Sequence, residues 1–234
     1  MQHLQAPRNL RGSISVKKFD RKLSLIDRLR LWLSTSRMVD GLLIDVWGSE
    51  SQLLTRIEEA LRLIKQHDSL HYSRVVNNLD RIWVHLLPDA AAHYDRSLNA
   101  CVMDERFVLL ESTTLERIAS TIVHEATHAR LERWGVVYDE KKRPRIEAIC
   151  LRRELNFAAG LPDSESLQEE IRSTLEWCAS DHEFFSDESF QQREVQGQFD
   201  TLRYLGTPNW LVSFLMRVVQ RRRERWLRTT TAGK

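Results

Sequence analysis

The strongest constraint on how this chain folds is one amphipathic run between Thr113 and Trp134. Leu115, Ile118, Ala119, Ile122 and Ala126 recur at helical spacing and form a single apolar stripe, so the run is a helix with one face buried. Thr113 and Glu116 have capping-box spacing at its start, and Gly135 stops it. His124 and His128 fall nearly opposite the stripe, one turn apart on a common face. Such a helix sits at a boundary, with core on one side and either open solvent or a cleft on the other.

Beyond this helix the chain has to turn back. Glu147 stands nineteen residues beyond His128, and a continuing helix would carry it about 28 Å away. Gly135, the charged loop Asp139-Glu140-Lys141-Lys142-Arg143 and Pro144 at a first helical position supply the reversal. A second helix then runs to about Ala159, before Gly160 and Pro162, with Glu147, Cys150, Leu151, Glu154 and Ala158 on one face.

Upstream, roughly the first 15 residues are polar and aperiodic and read as a tail. Residues from about Leu23 to Leu33 and from about Leu53 to Ile64 recur at helical spacing, which makes the first third mainly helical, punctuated by Gly41 and Gly48. Ile82, Val84 and Leu86 then alternate with Trp83, His85 and Leu87 as a strand does, and Pro88 ends it. Two β-prone runs, 100–103 and 107–110, flank Asp104-Glu105-Arg106 as a hairpin would. Further helices are expected from about Ser166 to Cys178 and from about Pro208 to Trp226. The expected fold is α+β and predominantly helical, with a small sheet of about three strands ahead of the 113–134 helix. The expected division is a tail over 1–15, one domain over 16–206, and an amphipathic basic helix with its tail over 207–234.

Composition narrows the classes. Of the 234 residues 42% are hydrophobic and 29% charged, the balance of a globular chain with a sizeable core. A net charge of +2 and a pI near 8.5 do not mark the chain as a whole for nucleic acid. Cys101, Cys150 and Cys178 are widely spaced with no CxxC, which points to buried thiols in a reducing compartment. With no secretory leader and no apolar run of about 18 residues, the expected location is the cytoplasm. Trp210, Leu211, Phe214, Leu215, Val218 and Val219 repeat at helical spacing before Arg221-Arg222-Arg223. That helix reads as packed on the core with cations at its C-terminal dipole, a peripheral membrane or nucleic-acid contact being the other reading. His67, His71, His85 and His93 show no ligand spacing and read as ordinary residues.

His124-Glu125-Ala126-Thr127-His128 is an HExxH sequence. Two imidazoles one turn apart can bind a single Zn²⁺ at about 2.0–2.1 Å each, and Glu125 projects beside them toward a metal-bound water. A catalytic zinc site takes a third protein ligand and leaves the fourth position open. Glu147 is the leading candidate, Glu154 two turns on is its rival, and Cys150 follows. HEATH followed by Glu147 in IEAICLRREL resembles the gluzincin family of zinc metallopeptidases, over about residues 81–160. The resemblance implies a zincin-like fold in which a small sheet precedes the active-site helix and its edge strand binds peptide as an added antiparallel strand.

The activity so implied is hydrolysis of peptide bonds in a peptide or protein substrate, with zinc polarising the carbonyl while Glu125 moves the water's proton to the leaving amine. Asn99-Ala100 resembles the Asn-Ala pair on the substrate-binding strand of thermolysin-like members and is equally a turn residue opening a strand. The family's oxyanion donor is a Tyr or His; Tyr94, Tyr138, His182 and Tyr204 are candidates, with His182 preferred for lying downstream of Glu147. No GxMEN-like exopeptidase signature is present, which favours an endopeptidase. Two other classes stay open. One is a binding module that keeps the zinc fold and recognises its partner through the basic C-terminal helix; the other is a purely structural zinc site.

Overall fold

In the computed structural model, residues 29, 31–47, 51–88, 90–180 and 183–219 are described. The first departure from the helical expectation comes at Asp40-Gly41. Strands Ser34–Val39 (β1) and Leu42–Trp47 (β2) pair antiparallel across these two residues, both at positive φ (48° and 87°). Asp-Gly is a preferred sequence for a two-residue hairpin turn with positive φ at both positions, because its twist matches that of the strands. Residues 29, 31 and 32, at the end of the expected 23–33 helix, are helical; the hairpin follows them and leads to helices Ser51–His67 (α1) and Ser69–Asn78 (α2). Most of the 23–33 run lies outside the described residues, as does the 1–15 tail.

Strand Arg81–His85 (β3) forms where the alternation predicts it, and Ala92–Asp95 (β4) and Ala100–Asp104 (β5) complete the sheet. The strand order is β1-β2-β3-β5-β4, with β2, β3 and β5 parallel and the two outer strands antiparallel to their neighbours. Five strands thus stand where about three were expected. The predicted second strand over 107–110 is instead part of a short helix, Glu105–Leu109 (α3). Asp104 causes this. Its carboxylate accepts from the backbone N–H of Arg106 at 2.7 Å and of Leu87 at 3.0 Å, and it pairs with the Arg106 guanidinium. A side chain that caps a helix removes the option of a hairpin at the same residue.

The expected long helix is present as Leu115–Arg133 (α4), capped by Thr114, whose hydroxyl accepts from the Arg117 N–H, rather than by Thr113. Its end is a Schellman motif. Gly135 at φ 81° donates to the Glu132 carbonyl, and Val136 donates to that of Leu131. The returning helix is Arg143–Ala158 (α5), with Pro144 in its first turn. Glu165–Ser180 (α6) follows. Asp187–Tyr204 (α7), a helix absent from the sequence-based expectation, is capped by Ser186. Residues 209–219 are helical, with Val212 buried but Trp210 and Phe214 exposed; the Arg221–Arg223 end lies outside the described residues.

The alternating residues Leu42, Ile44 and Val46, Ile82 and Val84, and Cys101 and Met103 bury one face of the sheet against α1 and α4. Ile118, Ala119, Ile122 and Ala126 of α4 lie in that core, as their spacing requires. The opposite face carries a smaller cluster of Trp83, Leu87, Leu98, Ala100 and Val102. α5 is pinned between α4 and α6, its Leu151 and Ala158 packing on Ile171 and Cys178. All three cysteines are buried free thiols. Among the described residues no helix is long and apolar enough to cross a membrane.

Candidate metal centre

Two antiparallel helices build the centre. Glu147 in the first turns of α5 meets His124 and His128, while Glu154 two turns later meets Ser120 and His124, so the numbering runs in opposite directions along α4 and α5. His124 Nε2 lies 3.2 Å from His128 Nε2 and 3.2 Å from Glu147 Oε2, and His128 Nε2 lies 3.5 Å from Glu147 Oε1. A tetrahedral ion with donors at about 2.0–2.1 Å has donor-to-donor edges of about 3.3–3.4 Å. The two imidazole nitrogens stand at that separation; the carboxylate faces them with a different oxygen toward each, so the donors are of the type zinc takes and Glu147 would turn one oxygen to the ion.

Charge argues the same way. Glu154 Oε2 stands 3.0 Å from His124 Nδ1 and is itself held by the Ser120 hydroxyl, whose Oγ lies 2.9 Å from Glu154 Oε1. A carboxylate on Nδ1 takes the proton there and turns the Nε2 lone pair toward the centre. That lone pair then faces a carboxylate oxygen and a second imidazole, an arrangement that is repulsive unless a proton or a cation lies between them. In the protonated case, burial would lower the His124 pKa, but Glu147 and Glu154 more than reverse it and hold the imidazolium well above 6.5. Glu147 is the counterpart: burial would raise its carboxyl, yet His124 and His128 hold it well below the usual range.

Glu154, the rival third ligand, therefore sits behind His124 and orients it. Cys150 is nearer the centre, its Sγ and the two imidazole nitrogens lying within 4.8 Å of one another. In the metal-free centre, burial, followed by the charge of Glu147, pushes its thiol far up.

The centre opens into a cleft of about 630 Å³. His124, Glu125 and His128 line one side, Ala92, His93 and Tyr94 of β4 another, and Phe190 and Glu194 of α7 a third. Glu125 is buried at 6% exposure and lines the cleft beside the two histidines. β4 is the terminal strand of the sheet and packs beside α4. Arg96, just past β4, pairs with Glu132 of α4 at 2.5 Å.

Asn99 and Ala100, expected on the substrate-binding edge, do not lie there. β5 is paired on both sides, by β3 and β4, and Ala100 is fully buried. Asn99 serves the turn instead: at φ 49° its side chain accepts from the Tyr94 hydroxyl and donates to the Asn78 carbonyl. Of the oxyanion candidates, His182 lies outside the described residues. Tyr204 lies against Arg106, away from the centre. Tyr138 reaches it, donating to Glu147 Oε1 at 2.6 Å from the loop that reverses the chain. Burial, and then the Glu147 charge, push its phenol far above its ordinary value and keep it a donor. In the sequence, the signal for it is a tyrosine on the reversal loop nine residues before Glu147.

No family model matches this chain, and no curated protein matches it significantly.

Proposed function

We propose that this chain is a zinc-dependent peptidase of zincin-like architecture, acting as an endopeptidase, with His124, His128 and Glu147 as the metal ligands. The observation that carries the reading is the pair of imidazole Nε2 atoms 3.2 Å apart, with one Glu147 oxygen 3.2 Å from the first and the other 3.5 Å from the second, beside a buried glutamate in an open cleft. Zinc, when bound, supplies a Lewis acid for the scissile carbonyl and lowers the pKa of water. The chain's own residues do the rest. Glu125 takes the proton of the attacking water and gives it to the leaving amine. β4, as the end strand along the cleft, accepts an extended peptide by strand addition, which gives affinity with tolerance of sequence. Tyr138, in place of the His182 that sequence position favours, donates to the developing oxyanion. Glu154 holds the His124 ring in place through Nδ1.

The test is metal analysis together with a peptide-library cleavage assay on the wild type, Glu147→Ala and Glu125→Gln. The expected result is about one zinc per chain in the wild type and in Glu125→Gln, with cleavage only in the wild type. Cleavage retained by Glu125→Gln would refute the mechanism.

Cys150 supports a second reading, a structural zinc site whose fourth ligand is its thiolate. Cobalt substitution separates the two, because a thiolate ligand adds a charge-transfer band that Cys150→Ser removes and that a His₂Glu site lacks.

A further inference from the structure

On the flank of α4 away from the paired histidines, a second pocket of about 50 Å³ opens between α2, α4 and α5. It is lined by His71 and Arg74 of α2, Arg130 of α4 and Arg153 of α5, over an apolar wall that includes Val123 and Ala126. Three guanidiniums converge here. Among the described residues none of the three forms an ion pair with a carboxylate. Arg130 sits 4.3 Å over the Trp134 ring, a contact that holds the guanidinium while leaving its N–H edge to others.

His71 closes one wall: it is 3% exposed, its Nδ1 lies 2.6 Å from Asp68, and its Nε2 is buried. A ring whose Nδ1–H is held by a carboxylate keeps a lone pair on Nε2, so the arginines alone are left to meet a ligand. The cluster is also electrostatically unrelieved: burial, then the charges of Arg130 and Arg153, lower the Arg74 pKa, with Asp68 opposing. An anion between the three guanidiniums would relieve that repulsion, and an apolar wall strengthens each contact.

Size selects the anion. The pocket exceeds the roughly 10–15 Å³ one water needs in this measure, so it admits a small polyatomic anion. Guanidinium forks match the oxygens of a phosphoryl group, two to a fork. We propose that this pocket is a binding site for a phosphate-class oxyanion, as inorganic phosphate or as the phosphoryl group of a small monoester, held by Arg74, Arg130 and Arg153. The inference rests on no part of the metal reading.

Calorimetric titration of the full-length chain with inorganic phosphate, and separately with glycerol 3-phosphate, tests it. Saturable binding is expected with at least one of the two, weakened about tenfold or more by Arg74→Gln and by Arg153→Gln, each of which removes a charge-assisted contact. Arg153 is exposed, so its replacement leaves the fold intact. Tighter binding of the free ion identifies phosphate itself as the ligand, and tighter binding of the ester identifies a phosphorylated metabolite. No saturable heat with either, or affinity unchanged in both variants, overturns the proposal; the latter result would place the anion elsewhere, including at a metal in the cleft.

Discussion

Glu154 offers the sharpest test of the centre, because it separates a ligand from a group that merely orients one. Its Oε2 is 3.0 Å from His124 Nδ1, and at 12% side-chain exposure the contact is little screened by solvent. A hydrogen bond to a charged group is worth about 1.5–3 kcal/mol, and Glu154→Gln keeps a neutral bond worth about 1 kcal/mol. The expected loss is about 0.5–2 kcal/mol of His124 positioning, or about two- to thirtyfold in zinc affinity, with one ion still bound at saturation. Glu147→Ala, by contrast, removes the carboxylate whose oxygens lie 3.2 and 3.5 Å from the two Nε2 atoms and should abolish stoichiometric binding. Competition with a chromophoric chelator measures both. If Glu154→Ala empties the site while Glu147→Ala leaves it loaded, the ligand assignment is reversed and the argument from donor spacing fails.

The same contacts carry further expectations. Zinc has to displace the proton that Glu147 and Glu154 hold on His124, so affinity should rise with pH through the range above 6.5; a flat profile from about pH 6 to 9 would contradict this. By the same linkage, the His124 imidazolium's contribution to metal-free stability is fully present below its unfolded value near 6.5 and is lost as pH rises through its raised folded value, which thermal unfolding across pH would track. Asp104→Ala leaves Arg106 and the Leu87 N–H without their carboxylate, and should cost about 3–5 kcal/mol in urea unfolding. Gly135→Ala meets no atom within 4 Å, so its penalty should be the backbone alone, about 1–2 kcal/mol for a left-handed alanine; a larger drop in unfolding free energy would mean the Schellman turn itself had been lost.

Local chemistry makes the α4 and α5 helices legible in the sequence. Period and punctuation are short-range properties, and the apolar stripe, Gly135 and Pro144 sit within a few residues of what they specify. The paired imidazoles one turn apart come from helix geometry alone, as does the need for the chain to return. The Asp40-Gly41 hairpin is written in the same local terms, but the helical periodicity on either side of it masks the signal.

The remainder depends on which segments meet. Asp104 could have turned a hairpin, but it caps α3 because the Leu87 N–H and the Arg106 guanidinium are within its reach, and both are placed by the packing of β3 against β5. Glu147 and Glu154 lie on one helical face and differ only in how far α5 has slid along α4. That register puts one carboxylate between the two Nε2 atoms and the other behind Nδ1. The pairing of β4 to β5 likewise moves the sheet's edge away from Asn99-Ala100. Period and capping act over a turn of helix or a pair of residues, whereas helix register and strand order are settled by side-chain packing between segments far apart in the chain, and a lone sequence carries no measure of that.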